Sequence, residues 1–497
     1  MFEAAELGRS LSKSEFEKLE PEIHSKFLQL QQSLRKSDKS LIVIVSGVEG
    51  AGKGEIVDRL NRWFDTRDVQ THAYWDASDE ENQRPWMWRF WRDMPARKTI
   101  SIMFGSWYTR PLVEAAYKKI SEAQLDQTLT EIQELERSLI ENGTIIIKLW
   151  FHLSKEEQRS RLENEAKVKK FKKSPLLEDF SANYDRFAVV CEHALRHTDS
   201  GFAPWHIIEA TNYRYRDIAT GDAIIHQLSI ALESEPETKA NAEISSKAEL
   251  TDAESAHLTV LDKVDVTQSL SDKDYGEKLT TMQARLHELA WQMYAQKRNA
   301  VIMFEGWDAA GKGSAIRRIT SAIDARLYRV IPIAAPTDEE KDHHYLWRFW
   351  RHIPRAGRIT IYDRSWYGRV LVERVEGFAR ENEWRRAYQE INNFEDQLLD
   401  HGIVLCKFWL HIGKDEQLRR FRERENDERK QHKITEEDWR NRENWDAYML
   451  AVNDMVAHTS TSRAPWTLVA GNDKKFARIQ ILETVCSSIS AALSQQN

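Results

Sequence analysis

The sequence predicts two tandem α/β domains, each a doubly wound parallel sheet covered by helices. Three observations predict it. Strand-like and helix-like stretches alternate along the chain, as in parallel sheets crossed by helices. A glycine-rich loop closes a strand-like run twice, at LIVIVSGVEGAGKGE from Leu41 and at AVIMFEGWDAAGKGS from Ala300. The halves also repeat one another at a nearly constant spacing.

That spacing sets the domain count. Lys53 pairs with Lys312, a separation of 259, and Trp88–Arg92 (WRFWR) pairs with Trp347–Arg351. Leu11-Ser12 matches Leu270-Ser271, Ser106-Trp107-Tyr108 matches Ser365-Trp366-Tyr367, and Gly143 matches Gly402. After about Phe180 the offset becomes 261, so Ala203-Pro204-Trp205 matches Ala464-Pro465-Trp466. The expected domains are 1–232 and 257–497. The polar, acidic stretch 233–256 reads as a solvated linker.

In the second repeat the expected strands are AVIMFE, YRVIPIA, RITIYD, IVLCKFWL and WTLVA, in that order. The first runs into Gly306-Trp307-Asp308-Ala309-Ala310-Gly311-Lys312, a P-loop pattern in which backbone N–H groups and a lysine cradle phosphate. Gly313 stands where a Ser or Thr normally binds magnesium, and Ser314 follows one residue late. Asp308 could supply a metal carboxylate instead; the alternative is an acid favoured by the helix macrodipole.

LWRFWRHIP (Leu346–Pro354) fits an amphipathic helix with packed aromatics and more open Arg348 and Arg351, against a base-stacking alternative. The strand RITIYD ends in Asp363 and Arg364, placed for magnesium and for phosphoryl charge, or for a structural ion pair. EWRRAYQEINNFEDQLLDHG reads as a helix stopped at Gly402. Lys414–Lys433 is a charged helix, mostly solvated, whose arginines could also close over a polyanion. Lys474 and Arg478 follow the last strand as further phosphate candidates. His343-His344 lacks i,i+4 spacing, so no metal site is expected there.

Only the second repeat keeps the chemical groups. Asp308 becomes Glu49, Asp363 becomes Phe104, Arg364 becomes Gly105, Lys474 becomes Tyr213 and Arg478 becomes Asp217. The loop glycines and lysine, WRFWR, SWY, Arg110/Arg369 and Glu114/Glu373 persist. The second repeat therefore reads as catalytic and the first as a degenerate partner.

GWDAAGKGS, WRFWRHIP, YDRSWYGRVLVERVEGF, KFWLH and APW together resemble the polyphosphate kinase type 2 family, and the second repeat is covered almost entirely. The resemblance implies P-loop kinase-like domains with a helical lid and Mg²⁺ as cofactor. It further implies phosphoryl transfer from inorganic polyphosphate to a nucleotide, chiefly AMP to ADP in fused two-copy members. It assigns catalysis to Asp308, Lys312, Asp363 and Arg364, with Asp308 and Asp363 on the metal. Phosphate and nucleotide binding would involve Gly306, Gly311, Gly313, Ser314, Arg369, Glu373, Lys474 and Arg478. The alternatives are an ATP-dependent kinase and a non-catalytic phosphate- or nucleic-acid-binding protein.

Composition adds exclusions. With 41% hydrophobic residues and only 11 Pro and 19 Gly, the chain is neither disordered nor collagen-like. No apolar run is long enough to span a membrane, and the start lacks a signal-peptide pattern. Cys191, Cys406 and Cys486 suit buried thiols in a reducing, cytoplasmic setting rather than disulfides. A net charge of −7 argues against nucleic-acid coating, so no nucleic-acid or membrane partner is expected. A homo-oligomer is left open.

Overall fold

A computed structural model of the chain describes residues 1–169, 182–233, 259–428, 431 and 434–494. The expected linker falls almost wholly outside these residues, as do Lys430 and Lys433 of the charged segment. Two compact units are present, one within 1–77, 93–251 and 341–344 and the other within 78–92, 252–340 and 345–497. The division is therefore not a single cut between the repeats, because the WRFWR stretch of the first repeat groups with the second unit.

The first sheet comprises β1 (Ser40–Gly47), β2 (Val69–Ala73), β3 (Ile100–Phe104), β4 (Thr144–His152) and β5 (Trp205–Glu209), in the order β2-β3-β1-β4-β5. The second comprises β6 (Ala300–Gly306), β7 (Tyr328–Pro332), β8 (Ile359–Asp363), β9 (Val404–His411) and β10 (Trp466–Ala470), in the order β7-β8-β6-β9-β10. Every pairing is parallel. The five strands expected for the second repeat all form. Central β6 is apolar from Ala300 to Phe304, all fully buried, because helices cover both faces.

Strand order reverses about β6, which opens a crevice at the carboxyl ends of β6 and β8. Register places Asp363, the last residue of β8, beside Phe304, two residues before the loop glycine Gly306. The helix Glu381–Asp400 stops ahead of Gly402, whose φ of +81° suits the left-handed turn there.

SWY and KFWL meet in the core. Lys407 Nζ donates to Glu395 Oε2 (2.7 Å), Tyr367 Oη (3.0 Å) and the Thr459 carbonyl (2.8 Å). Glu395 Oε1 accepts from Trp366 Nε1 and Tyr367 Oη. Burial pushes the Glu395 carboxyl up and the Lys407 amine down, each opposed by the other's charge. Lys148, Glu136, Tyr108, Trp107 and Thr198 repeat this network in the first unit. SWY therefore persists for packing reasons.

WRFWR forms only a short helix, Trp347–Trp350. Trp347, Phe349 and Trp350 are buried as expected, but Arg348 is largely covered and ion-paired to Glu340, so only Arg351 is open. The three cysteines are buried and unpaired. Among the described residues, no helix is long and apolar enough to cross a membrane.

Candidate active site

The loop after β6 is held from several sides. Gly306 has φ +146°, and a Cβ there would lie 2.6 Å from the Leu410 carbonyl oxygen of β9. Only glycine fits this approach. Trp307 stacks on Trp445 with ring centroids 3.8 Å apart, and its Nε1 donates to His411 Nδ1 at 3.2 Å. Gly311, at φ +113°, caps the helix Lys312–Thr320, whose first amides face the crevice. A Cβ at Gly313 would meet open space, so sterics do not demand glycine there.

Lys312 Nζ donates to the carbonyls of Gly306 (2.6 Å) and Trp307 (3.4 Å) and has no ion-pair partner among the described residues. Asp308 points elsewhere: Oδ1 lies 3.4 Å from Arg364 Nη2, and Oδ2 accepts from Asn441 Nδ2 at 2.8 Å. Arg364 also faces Glu437 at 3.8 Å. Burial disfavours its charge, but Asp308, Glu305 and Glu437 outweigh that and raise its pKa. The Asp363 carboxylate takes no hydrogen bond or ion pair among the described residues. Asp308 and Asp363 each offer hard carboxylate oxygens of the kind that suits Mg²⁺.

Arg364 holds φ +65°, a left-handed conformation that costs a non-glycine residue roughly 1 kcal/mol. Its counterpart Gly105 adopts φ +76° at no such cost. The same contrast separates Ala309 (φ +65°) from Gly50 (φ +81°). Strained residues of this kind cluster at functional sites.

Ser314 Oγ accepts from Arg478 Nε at 3.2 Å. Arg478 and Arg318 converge on the Tyr275 hydroxyl at 3.2 and 3.3 Å. Although burial opposes it, those two donors lower the Tyr275 pKa. Lys474 is exposed at the start of the helix Lys474–Ser494, where partial desolvation and the nearby Arg420 lower its pKa. None of Arg318, Arg478 and Lys474 has a carboxylate partner among the described residues. Arg369 differs: it is paired to Glu373 at 2.7 Å and approaches Glu383, just as Arg110 pairs with Glu114.

The charged segment is mostly solvated among the described residues, as expected, with Arg420 the exception. Arg420, in the charged segment, does not reach over the crevice. It is buried, and its guanidinium donates to the carbonyls of Ala309, Ala310, Gly471 and Asn472 at 2.7 to 3.0 Å. Arg419 is spent on Glu416 and Glu423. The contacts over the loop come instead from the helix Glu436–Glu443, through Asn441 and Glu437.

Glu305, ending the β6 run, was missed. It is buried and accepts from both the Ser365 amide and Oγ at 2.8 Å. Desolvation raises its carboxyl pKa despite Lys312, Ser365 and Arg364 nearby. Its counterpart Ser46 cannot do this, so the internal comparison held the signal. Asn441, Tyr275 and Arg318 carried none, since folding alone brings them to the loop.

The first repeat's equivalent crevice is lined differently. Lys53 is neutralised by Glu49 at 2.8 Å. Phe104, Val45, Leu112, Val113, Trp75 and Phe187 line a largely apolar cavity of about 250 Å³ there.

The polyphosphate kinase 2 sequence profile matches residues 10–236 and 269–497. The chain belongs to the polyphosphate kinase 2 family. It is 45% identical over 495 residues to the polyphosphate:AMP phosphotransferase of Pseudomonas aeruginosa, covering 99% of each chain. It is 40% identical to that of Acinetobacter johnsonii over 91% of each. A crystal structure assigned to polyphosphate kinase 2 of P. aeruginosa superposes with a TM-score of 0.90 at 44% identity, covering all of both chains. The two-sheet architecture described above is thus that of a solved family member.

Proposed function

We propose that the chain is a polyphosphate:AMP phosphotransferase whose second repeat moves a phosphoryl group from inorganic polyphosphate to AMP, giving ADP. The full-length relatives of that name support the reaction. One observation carries its placement in the second repeat: Phe104 and Gly105 stand where Asp363 and Arg364 stand.

The acceptor phosphate oxygen of AMP is ionised near neutral pH, so no general base is needed. It forms a new P–O bond to the terminal phosphorus of the chain. The bond to the bridging oxygen breaks, and that oxygen leaves as the new chain terminus. Catalysis is then positioning plus charge neutralisation for in-line transfer. Lys312 exchanges its loop carbonyls for phosphate oxygens, and the loop amides cradle them. Gly306 and Gly311 shape that cradle, while Gly313 and Ser314 carry its helical wall. Arg364, preorganised by its strained backbone and two acids, stabilises charge on the transferred group. Asp308 and Asp363 would hold Mg²⁺, whose chemistry there is to neutralise phosphate oxygens. Arg318, Arg478 and Lys474, free of acids, bind the rest of the polyanion. Arg369 can join them only by exchanging Glu373 for substrate. Glu305 orients Ser365, and through it the Asp363–Arg364 turn.

AMP supplied with polyphosphate or with ATP as sole donor, in Mg²⁺, tests the reaction. ADP should form from polyphosphate; activity with ATP alone would replace this reading with an ATP-dependent kinase.

A further inference from the structure

Far along the chain from the loop residues, two helices of the first unit bring together a histidine pair and an aspartate. His193 and His197 sit one turn apart on the helix Tyr184–Thr198, and Asp126 lies on the helix Glu122–Glu141. Their ligand atoms all lie within 4.8 Å of one another. His193 Nε2 is 2.6 Å and His197 Nδ1 3.9 Å from Asp126 Oδ1. All three side chains are partly exposed, so an ion can enter from solvent.

From this geometry we infer that the first unit carries a Zn²⁺-type site, with Asp126 Oδ1, His193 Nε2 and His197 Nδ1 as ligands and water in the fourth position. A histidine pair at i,i+4 presents both rings on one helix face, and an oxygen from a second helix completes three tetrahedral corners. The other nitrogen of His197 is already placed. Thr130 Oγ1 donates to the Asp126 carbonyl at 2.9 Å, leaving its lone pair for His197 Nε2–H at 3.3 Å. That hydrogen bond fixes the proton on Nε2 and leaves the Nδ1 lone pair facing Asp126 and His193, as outer-shell partners do in metal sites. His193 Nε2 becomes a ligand when the neutral ring carries its hydrogen on Nδ1 instead. Two imidazoles select a borderline d-block ion over Mg²⁺, so the site is separate from the one proposed for catalysis.

The second repeat is a built-in control. The helix spacing is the same in both, because Gln133 Nε2 donates to the His197 carbonyl (2.8 Å) and its counterpart Asn392 Nδ2 to the His458 carbonyl (3.0 Å). Yet Arg385 and Asp454 stand where Asp126 and His193 stand, and Asp454 pairs with Arg374 at 2.8 Å. A cation in the carboxylate position removes the site from that repeat.

Equilibrium dialysis of the full chain against Zn²⁺, in excess Mg²⁺, tests the inference, with Co²⁺ absorption reporting tetrahedral ligation. The expected result is one tight ion, lost in His193→Gln/His197→Gln and kept in His458→Gln. Thr130→Val should weaken it about 10-fold. Circular dichroism checks that the double variant is folded, and Asp126→Asn provides a second route to the same loss. Absence of a tight ion in the unmodified chain overturns the inference, as does equal binding by the folded double variant.

Discussion

Arg420 and Ala309 are joined by a 3.0 Å hydrogen bond from Nη1 to the carbonyl oxygen, inside a set of four that ties the loop after β6 to the turn after β10. Arg161 makes the equivalent bonds to Gly50, Ala210 and Thr211 in the first repeat. A buried guanidinium answering four carbonyls is a brace. Arg420→Ala should destabilise the second unit by about 3 kcal/mol, since its charged donors leave buried acceptors unpaired. Denaturant unfolding of Arg420→Ala beside the exposed Arg419→Ala checks this, with the second expected within about 0.5 kcal/mol of the parent.

Arg364→Gly separates activity from stability. The substitution relieves the left-handed strain at φ +65° and removes ion pairs to Asp308 and Glu437 from a partly exposed guanidinium. The two effects nearly cancel, so stability should change by less than about 1 kcal/mol. Turnover should fall about 10³-fold, in line with arginines that meet a transferring phosphoryl group. Thermal unfolding alongside steady-state kinetics reads both.

The buried pair Lys407–Glu395 should behave in the opposite way. Lys407→Met strands the buried Glu395 carboxylate, only 2% exposed, and should cost about 3 to 5 kcal/mol. Adding Glu395→Leu should recover much of it, because two apolar residues need no partner. A double-mutant cycle in urea measures the coupling.

Acid should loosen the loop through His411. Burial lowers its pKa, with Asp262 in partial opposition, while Trp307 Nε1 needs a neutral ring to donate to. Unfolded histidine titrates near about 6.5. Below that pH the unfolded chain binds a proton that the folded chain refuses, so stability falls with acidification until the lowered folded pKa is passed. His411→Asn keeps an acceptor near Nδ1 without the titration. The slope of unfolding free energy against pH, between about 6.5 and 5, should be shallower in that variant.

The strands, the loop and the unequal repeats were legible because they rest on local pattern: apolar runs, glycine spacing and a constant offset. Arg420 did not stand out within its charged helix, because its buried partners are known only once the chain is folded. Glu305 was hidden in an apolar strand, although its exchange for Ser46 marks it in the internal comparison. Asn441 reaches Asp308 from 133 residues away, and no periodicity encodes that approach. Residue types announced the chemistry, while the neighbours that orient it came from folding.

Asp363 is the most direct test of a single active site in the second repeat. Polyphosphate-driven conversion of AMP to ADP should be compared in the parent, Asp363→Asn and Phe104→Ala, at saturating Mg²⁺. The account predicts a loss of about 10²-fold or more for Asp363→Asn and near-parental turnover for Phe104→Ala. Unchanged turnover in Asp363→Asn would contradict it.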